Sequence, residues 1–378
     1  MTQTEDLAQF DPASFEHIPV LLNECLDGLN IDPAGIYQDG TAGGAGHSRQ
    51  IALRLNGEQG GRLISLDQDP DAVQTARARL AGLPATVVQI NFRYAGQALE
   101  QLGIEKINGA LLDLGVSSHQ LDDAARGFSY RADAPLDMRM SQQGETAADL
   151  VNTASREEIS RILRDYGEEP YAWQIAGHIV EARETAPIET TLQLADIVAS
   201  AMPPAERRKN KNPSRRTFQA LRIAVNHELD ALEEGLDTIF EHLAPGGRLV
   251  AITGANFAPD APAWAETFTR LTETAHLVFT GSVSGGAFAK HGTSFETRIS
   301  VFDKCRGGEL GGITADLALP MSADVASLLS RITAEVPPRL ELGAGVGACS
   351  QPISPFRRLP PRASGPVARP LRSTAAAK

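Results

Sequence analysis

The stretch from Tyr37 to Ser48, YQDGTAGGAGHS, decides the fold class of this chain. Its glycines recur at every third position, at Gly40, Gly43 and Gly46, after a short apolar run and before Ile51–Leu53. This order predicts a strand, a glycine-rich turn and a helix, because glycine adopts positive φ angles and lets a ligand approach the backbone. An ordinary tight turn between a strand and a helix has the same pattern, so the loop alone leaves both interpretations open.

A second predicted strand, Leu63–Leu66, ends in Asp67. An acidic residue about twenty residues beyond such a loop can hold the hydroxyl pair of a ribose. The two features together predict a nucleoside cofactor at the carboxyl edge of a parallel sheet. The dinucleotide fingerprint is G-x-G-x-x-G, whereas this loop has G-x-x-G-x-x-G after Asp39, whose carboxylate would repel a pyrophosphate. S-adenosylmethionine, which carries a sulfonium and an amino group, therefore suits the loop better than NAD does.

The composition is that of a soluble globular protein. Of the 378 residues, 42 % are hydrophobic and 22 % are charged, which provides enough apolar material for one large or two modest domains. No stretch reaches the roughly eighteen consecutive apolar residues of a membrane span, and the acidic N-terminus does not resemble a signal peptide. Cys25, Cys305 and Cys349 are far apart and show no metal-ligand spacing. We therefore expect a cytoplasmic protein with no membrane partner and no metal site.

The net charge of −12 argues against non-specific coating of nucleic acid by the whole surface. A local basic segment is nevertheless present, consisting of Arg207, Arg208, Lys209, Lys211, Arg215 and Arg216, with Arg222 shortly after them. A solvated charged loop and a contact with RNA phosphates are both consistent with such a run.

The chain changes character along its length. Strand and helix patterns alternate up to about Phe128, which predicts a parallel sheet with right-handed crossovers. Only helical patterns follow between about 145 and 205, and a long amphipathic helix is predicted over Phe218–Phe240. Strand patterns then return, and His276–Thr280 with Thr297–Phe302 predict a closing antiparallel hairpin. An all-helical block therefore interrupts an α/β sheet domain.

A second motif, Asp113–Asp123, follows the fourth predicted strand. With it, the chain resembles the bacterial small-subunit ribosomal RNA cytosine-N4-methyltransferase H family (RsmH, also called MraW). The matching runs are His17–Leu22, Asp39–Ser48, Leu66–Pro70, Asp113–Asp123, Arg126–Ser129, Pro135–Met140, Tyr166–Glu169 and Arg216–Ile223. The resemblance covers roughly residues 16 to 250.

The resemblance implies a class I, Rossmann-like S-adenosylmethionine-dependent methyltransferase sheet with an inserted all-helical domain. The expected organisation is an N-terminal tail over 1–15, a first methyltransferase part over 16–130, a helical insert over 131–215, a second methyltransferase part over 216–305 and a low-complexity, disordered region over 306–378.

Carried over by position, the resemblance implies a set of residues around S-adenosylmethionine. They are Ala45, Gly46 and His47 on the methionine side, Asp67 at the ribose, Phe92 at the adenine, and Asp113 and Gln120 completing the pocket. Phe92 as a core residue and His47 as a helix cap are alternatives. Asp137 and Arg139 are expected to form a structural ion pair that ties the insert to the sheet domain, and no catalytic residue is assigned.

The implied activity is methylation of the exocyclic N4 of a cytidine in the decoding region of 16S ribosomal RNA, within the small ribosomal subunit. A homodimer is a possible assembly. A non-catalytic RNA-binding or ribosome-binding relative is the alternative, and a nicotinamide-dependent oxidoreductase is disfavoured by the glycine spacing.

The resemblance to the family ends soon after Val250. Where family members have a serine-phenylalanine-histidine-serine-leucine-glutamate-aspartate-arginine run, this chain has a different sequence over Ile252–Asp260. From there it more weakly resembles a methylase segment found beside strawberry-notch-type helicases, at Ala289–Thr293 and Thr297–Ile299. The last strands of the sheet are therefore expected to be atypical for the family.

Overall fold

The computed structural model describes residues 19–209, 212–287, 296–318 and 321–339. The predicted N-terminal tail over 1–15 and the Ala289–Thr293 match lie outside these residues. Within the described residues, no helix combines the length and the apolarity that crossing a bilayer requires.

One eight-stranded sheet organises the molecule. Its strands are β1 (Ile36–Asp39), β2 (Arg62–Asp67), β3 (Ala85–Gln89), β4 (Ile107–Asp113), β5 (Leu243–Gly254), β6 (Ala275–Val283), β7 (Thr297–Lys304) and β8 (Gly312–Ile313). The spatial order is β3-β2-β1-β4-β5-β7-β6-β8. The first five strands pair in parallel, whereas β7 is antiparallel to both β5 and β6. The predicted α/β class and the closing antiparallel hairpin are confirmed.

The strand order reverses between β1 and β4. From β1 the chain first builds outward through β2 and β3, and it then returns to place β4 on the other side of β1. In an open parallel sheet, such a switch point opens a crevice beyond the carboxyl ends of the two strands. The glycine-rich loop follows β1, so it lies at this crevice.

Helices cover both faces of the sheet. They are α1 (Leu22–Leu29), α2 (Gly46–Ala52), α3 (Pro70–Arg79), α4 (Ala95–Gln101), α5 (Ser118–Asp122), α12 (Glu228–His242), α13 (Ala265–Thr274) and α14 (Val325–Glu335). One apolar core joins α1, α2 and α14 to one face of the sheet, and a second joins α4, α12 and α13 to the other. Alternate strand residues serve the two cores, as Leu111 and Leu112 of β4 do.

The predicted helical block forms a third apolar core of its own. Its helices are α6 (Ala147–Thr153), α7 (Arg156–Gly167), α8 (Ala172–Thr185), α9 (Thr191–Ala201), α10 (Pro204–Lys209) and α11 (Arg215–Val225). This core includes Phe128 before the block, as well as Phe218 and Leu221 from α11. The expected boundaries at 131 and 215 stay a proposal, because apolar packing continues across both of them.

The long helix predicted over Phe218–Phe240 is wrong. The structure has two helices, α11 and α12, which are separated at His227 by a left-handed backbone conformation with φ of 49°. At the end of α11, the Asn226 side chain accepts a hydrogen bond from the Met140 amide at 2.7 Å and donates one to the Met138 carbonyl, also at 2.7 Å. The amphipathic pattern continues through the break, which is why the sequence did not indicate it.

The prediction of a disordered region over 306–378 is wrong for its first part. Strand β8 pairs with β6, and α14 buries Leu328 and Ile332 against the sheet. These apolar residues have helical spacing, and Asp324 caps the helix by accepting a hydrogen bond from the Ser327 amide at 2.7 Å. Residues from 340 onward lie outside the described part of the chain.

Candidate cofactor site at the switch point

Three aspartates end three neighbouring strands. Asp39, Asp67 and Asp113 are the last residues of β1, β2 and β4, which lie side by side in the sheet. Because these strands are parallel, their carboxyl ends meet at one edge, and the three carboxylates gather around the glycine-rich loop. This is the crevice that the strand order opens.

Asp39 shapes the loop from within. Its side chain is fully buried, and one carboxylate oxygen accepts a hydrogen bond from the Ser48 hydroxyl at 2.6 Å. The other oxygen accepts the Thr41 amide at 3.0 Å. Burial raises the pKa of Asp39, and the Ser48 hydrogen bond and the nearby His47 partly oppose this rise. Both carboxylate oxygens of Asp39 therefore accept hydrogen bonds from the loop and from the helix that follows it.

Asp67 holds the loop from the next strand. Its oxygens accept hydrogen bonds from the Gly43 amide at 2.8 Å and from the Asp69 amide at 2.9 Å. Gly43 has φ of +48°, and a Cβ at this position would meet no atom within 4 Å. Burial is the largest influence on Asp67 and raises its pKa to about 6. The loop is thus fixed on one side and open on the other, where a ligand has room.

His47 connects the helix after the loop to β4. Its Nδ1 lies 3.7 Å from a carboxylate oxygen of Asp113, and its Nε2 lies 3.1 Å from the Val20 carbonyl. The helix begins after Ala45 without a side-chain cap, so the alternative that His47 caps α2 does not apply. Desolvation raises the pKa of Asp113, His47 lowers it, and the charge of Asp39 raises it further. The Asp113 side chain keeps 31 % of its surface exposed.

Ala45 and Gly46 bring the chain close to the segment before α1. Ala45 is fully buried and takes φ of 60°, and a Cβ on Gly46 would lie 2.2 Å from a ring carbon of Pro19. The glycine is therefore required for packing. The glycine-rich loop and the segment at Pro19 therefore pack directly against each other.

Phe92 follows β3 and is half-buried. A Cβ on Gly235 of α12 would lie 2.4 Å from the Phe92 ring, so the ring packs closely against that helix. The Cβ of Phe92 also lies near Gly40, where an added Cβ would come within 3.1 Å of it. Phe92 therefore joins the glycine-rich loop to the second core. Part of its side chain is packed as the core-residue alternative expected. Its role beside the adenine stays a prediction.

Gln120 belongs to a buried polar network that the sequence did not reveal. Its amide oxygen accepts the Ser117 amide at 3.0 Å in a capping box that starts α5, and its amide nitrogen donates to Asp69 at 2.7 Å. The same Asp69 oxygen accepts from Arg126 at 2.9 Å. Gln120 is 5 % exposed, so its contribution to a pocket stays a prediction.

Arg126 makes the connection that was expected of Asp137 and Arg139. Its guanidinium reaches Asp69 in the sheet domain and also donates to the carbonyls of Arg139 and Met140, at 2.9 and 3.0 Å. The expected ion pair of Asp137 and Arg139 is present at 2.6 Å, but it lies within its own loop. The Arg126 network therefore ties the sheet domain to the segment at Arg139 and Met140.

Several arginines of the basic segment are exposed to solvent, whereas the arginine that follows it is neutralised by an ion pair. Arg207, Arg215 and Arg216 have exposed side chains, whereas Arg222 forms a two-point ion pair with Glu228 at 2.7 and 2.9 Å. Lys211 lies outside the described residues. Arg215 also lies near enough to Tyr130 to lower the pKa of that phenol, against the larger opposing effect of burial.

The electrostatics of the crevice favour a cation. Burial raises the pKa of both Asp67 and Asp113, and the charge of Asp39 adds a smaller rise to each, because nearby carboxylates repel one another. A ligand with positive charge relieves this repulsion, whereas a pyrophosphate increases it. The site can also accept hydrogen bonds from hydroxyls, since each carboxylate oxygen accepts more than one.

Comparison with known proteins identifies the family. Residues 14–257 match the model of the MraW methylase family. Two proteins named ribosomal RNA small subunit methyltransferase H are similar: that of Lachnospira eligens is 53 % identical over 242 residues (63 % of this chain, 76 % of that protein), and that of Heliobacterium modesticaldum is 54 % identical over 243 residues (63 % and 77 %).

Solved structures are more distant. The N-methyltransferase NodS of Bradyrhizobium japonicum, in complex with S-adenosyl-L-homocysteine, is 12 % identical, with 79 % of this chain and 94 % of that chain covered and a TM-score of 0.36. The sequence relatives are what carry the assignment. The family match covers all seven candidate residues and ends just beyond the predicted departure, and this chain belongs to the MraW methylase family.

Proposed function

We propose that this protein transfers a methyl group from S-adenosylmethionine to the exocyclic N4 of a cytidine in the decoding region of 16S ribosomal RNA. The observation that carries the proposal is the family match over 14–257, which includes the three strand-end aspartates and the glycine-rich loop. The relatives' name specifies ribosomal RNA of the small subunit. The cytidine and its N4 come from the resemblance of the motifs.

The crevice provides the groups that such a cofactor needs. Asp67 would accept hydrogen bonds from the ribose hydroxyls, and the open side of Gly43 leaves room beside it. Ala45, Gly46 and His47 would line the methionine end, where the charges of Asp39 and Asp113 favour a cation. Phe92 and Gln120 complete the proposed set, the first at the adenine and the second through the Asp69 network.

The cofactor supplies an electrophilic methyl group on a sulfonium. An exocyclic cytosine amine is a poor nucleophile because its lone pair is delocalised into the ring, so the chain's main task is to place the amine in line with the methyl group. The Asp113 side chain keeps part of its surface exposed, and it would accept a hydrogen bond from the amine. That bond would help to localise the lone pair on nitrogen.

The RNA has to present an unpaired base. Pairing hides the N4 amine, so a single-stranded or flipped-out cytidine is needed. We infer that the exposed Arg207, Arg215 and Arg216 contact RNA phosphates while the base enters the crevice. We expect the reaction to take place in the cytoplasm on small ribosomal subunits, and a homodimer stays a prediction.

Transfer of labelled methyl groups tests the proposal. Small ribosomal subunits from a strain that lacks this modification should take up label from S-adenosylmethionine when the protein is added, at one cytidine. An established family member serves as the positive control. If no label is transferred under conditions in which that enzyme works, the methyltransferase activity is excluded. The alternative, a non-catalytic RNA-binding relative, would then be favoured.

Calorimetry separates the remaining alternatives. S-adenosylmethionine should bind to the free protein, and NAD should not. A protein that binds NAD instead would be an oxidoreductase. An Arg215→Glu/Arg216→Glu variant that still binds subunits normally would exclude the basic segment from RNA recognition.

A further inference from the structure

Three side chains of different chemistry meet at the opposite edge of the sheet. They are His276 in β6, Cys305 just after β7, and Glu309 in the turn that leads toward β8. One donor atom from each lies within 4.8 Å of the other two. Imidazole, thiol and carboxylate are the usual ligands of zinc in proteins. The spacing 276–305–309 has no local motif, so the sequence pattern did not indicate this group.

His276 has an unused polar atom. Its Nδ1 is buried and has no hydrogen-bond partner within the described structure. The backbone around it is held on both sides, because His276 pairs with Asp303 of β7 and with Gly312 of β8. A buried polar atom without a partner costs folding free energy unless something binds it. A metal ion is one such partner.

The other two ligands are positioned by their backbones. The Cys305 amide donates a hydrogen bond to the Thr274 carbonyl at 2.9 Å, which anchors the thiol beside the start of β6. Glu309 accepts the Arg306 amide at 2.8 Å and donates its own amide to the Arg306 carbonyl at 3.0 Å, which closes a short turn. The Glu309 side chain is exposed, so solvent reaches this side of the group.

We propose that His276, Cys305 and Glu309 bind one zinc ion. Zinc bonds are about 2.3 Å to sulfur and about 2.0–2.1 Å to nitrogen, so tetrahedral ligands lie roughly 3.5 Å apart. Small side-chain rotations bring the three donors from their present separation to this distance. On binding, the Cys305 thiol loses its proton to solvent as the sulfur–zinc bond forms, and water takes the fourth position.

The location separates this ion from the cofactor crevice. Strand β7 ends and β6 begins at the edge where the parallel strands start, so the cluster lies across the sheet from the three aspartates. It also lies beyond residue 257, where the family match ends. The ion would fasten β6, β7 and the turn before β8 to one another. Methyl transfer itself would not require it.

Cobalt titration of the metal-free, untagged full-length protein tests the site. Cobalt(II) should bind with one equivalent and give a thiolate-to-metal charge-transfer band, which one equivalent of zinc then removes. Cys305→Ser should abolish this band. His276→Gln and Glu309→Gln should weaken cobalt binding at least tenfold, and zinc should raise the thermal midpoint of the wild-type protein but not that of Cys305→Ser.

Two controls keep the result interpretable. Cys349→Ser removes another thiol, and Glu273→Gln neutralises an exposed carboxylate on α13; both should bind cobalt as the wild type does. Glu309→Gln changes an exposed turn, so it reports on binding even if Cys305→Ser misfolds. A charge-transfer band that persists in Cys305→Ser, a wild-type protein without stoichiometric binding, or unchanged affinity in Glu309→Gln would overturn the proposal.

Discussion

Asp67 combines a role in the glycine-rich loop with a proposed role in cofactor binding. It fixes the glycine-rich loop through the Gly43 amide, and it stands at the crevice where the proposed ribose would lie. Its raised pKa, about 6, reflects the cost of keeping a charge among buried groups and beside Asp69 and Asp39. A ligand that donates hydrogen bonds and carries positive charge lowers this cost, so ligand binding and ionisation of Asp67 are linked.

We expect S-adenosylmethionine to bind with release of a proton near pH 6, where free Asp67 is half protonated. The ionised carboxylate binds the ligand better, so affinity should be full above this pH and fall by up to about tenfold per pH unit below it. Calorimetry at this pH, in two buffers of different ionisation enthalpy, counts the protons released.

The matched control for this prediction is Asp67→Asn, which keeps the shape of the side chain and cannot ionise. Its affinity should be lower than that of the wild type at neutral pH and flat across the acidic range. If the variant releases as many protons as the wild type, another group carries the titration.

At the scale of elements, the end of α11 places Asn226 beside the loop at Met138–Met140. The left-handed backbone of the next residue, His227, separates α11 from α12. The amide then satisfies both backbone groups of the loop that Arg126 also binds. Asn226 therefore joins the end of α11 to the loop that Arg126 connects to Asp69 of the sheet domain.

We expect Asn226→Ala to lower the free energy of unfolding by about 2–4 kcal/mol. The substitution leaves the Met140 amide and the Met138 carbonyl without their partner, and an unsatisfied buried group costs about 1–3 kcal/mol. Urea unfolding followed by circular dichroism measures the change.

Gln219→Ala, on the same helix, is the comparison for this variant. The Gln219 side chain makes no hydrogen bond within the described chain, so its loss should change stability by at most about 0.5 kcal/mol. Equal stability of the Asn226→Ala and Gln219→Ala variants would contradict the positioning role of Asn226.

At the scale of the whole molecule, a segment outside the family match completes the sheet. Arg248 of β5, fully buried, forms a two-point ion pair with Asp303 of β7 at 2.6 and 2.7 Å. It also donates to the carbonyls of Gly28 and Pro337. Beyond α14, Arg339 donates to the Tyr37 hydroxyl at 2.6 Å. The late segment is therefore bound into the core of the methyltransferase domain.

Truncation after Phe257 should prevent folding. It removes β7, which pairs with β5, and it exposes the apolar side chains of β5 that pack with Phe302 in the second core. We expect this variant to be insoluble, whereas truncation after Arg339 should retain the thermal midpoint and the affinity for S-adenosylmethionine. Soluble expression and thermal unfolding measure the difference. A soluble, cofactor-binding protein ending at Phe257 would show that the late strands are dispensable.

The sequence alone was sufficient for the features that depend on local pattern. Glycine spacing, strand-end acids and apolar periodicity predicted β1, β2 and β4, the switch-point loop and the helical block, because these signals act over a few residues. Motif resemblance added the family and the candidate residues. Helix α14 was not predicted, although Leu328 and Ile332 have helical spacing, because the composition of the adjoining tail suggested a low-complexity region.

Features that depend on distant contacts were decided only by the tertiary structure. The Gln120–Asp69–Arg126 network and the ion pair of Arg248 with Asp303 join residues far apart in sequence. The meeting of His276, Cys305 and Glu309 is of the same kind. Local sequence determines which backbone a segment adopts, but which polar atom satisfies another inside the protein depends on how the completed sheet brings segments together.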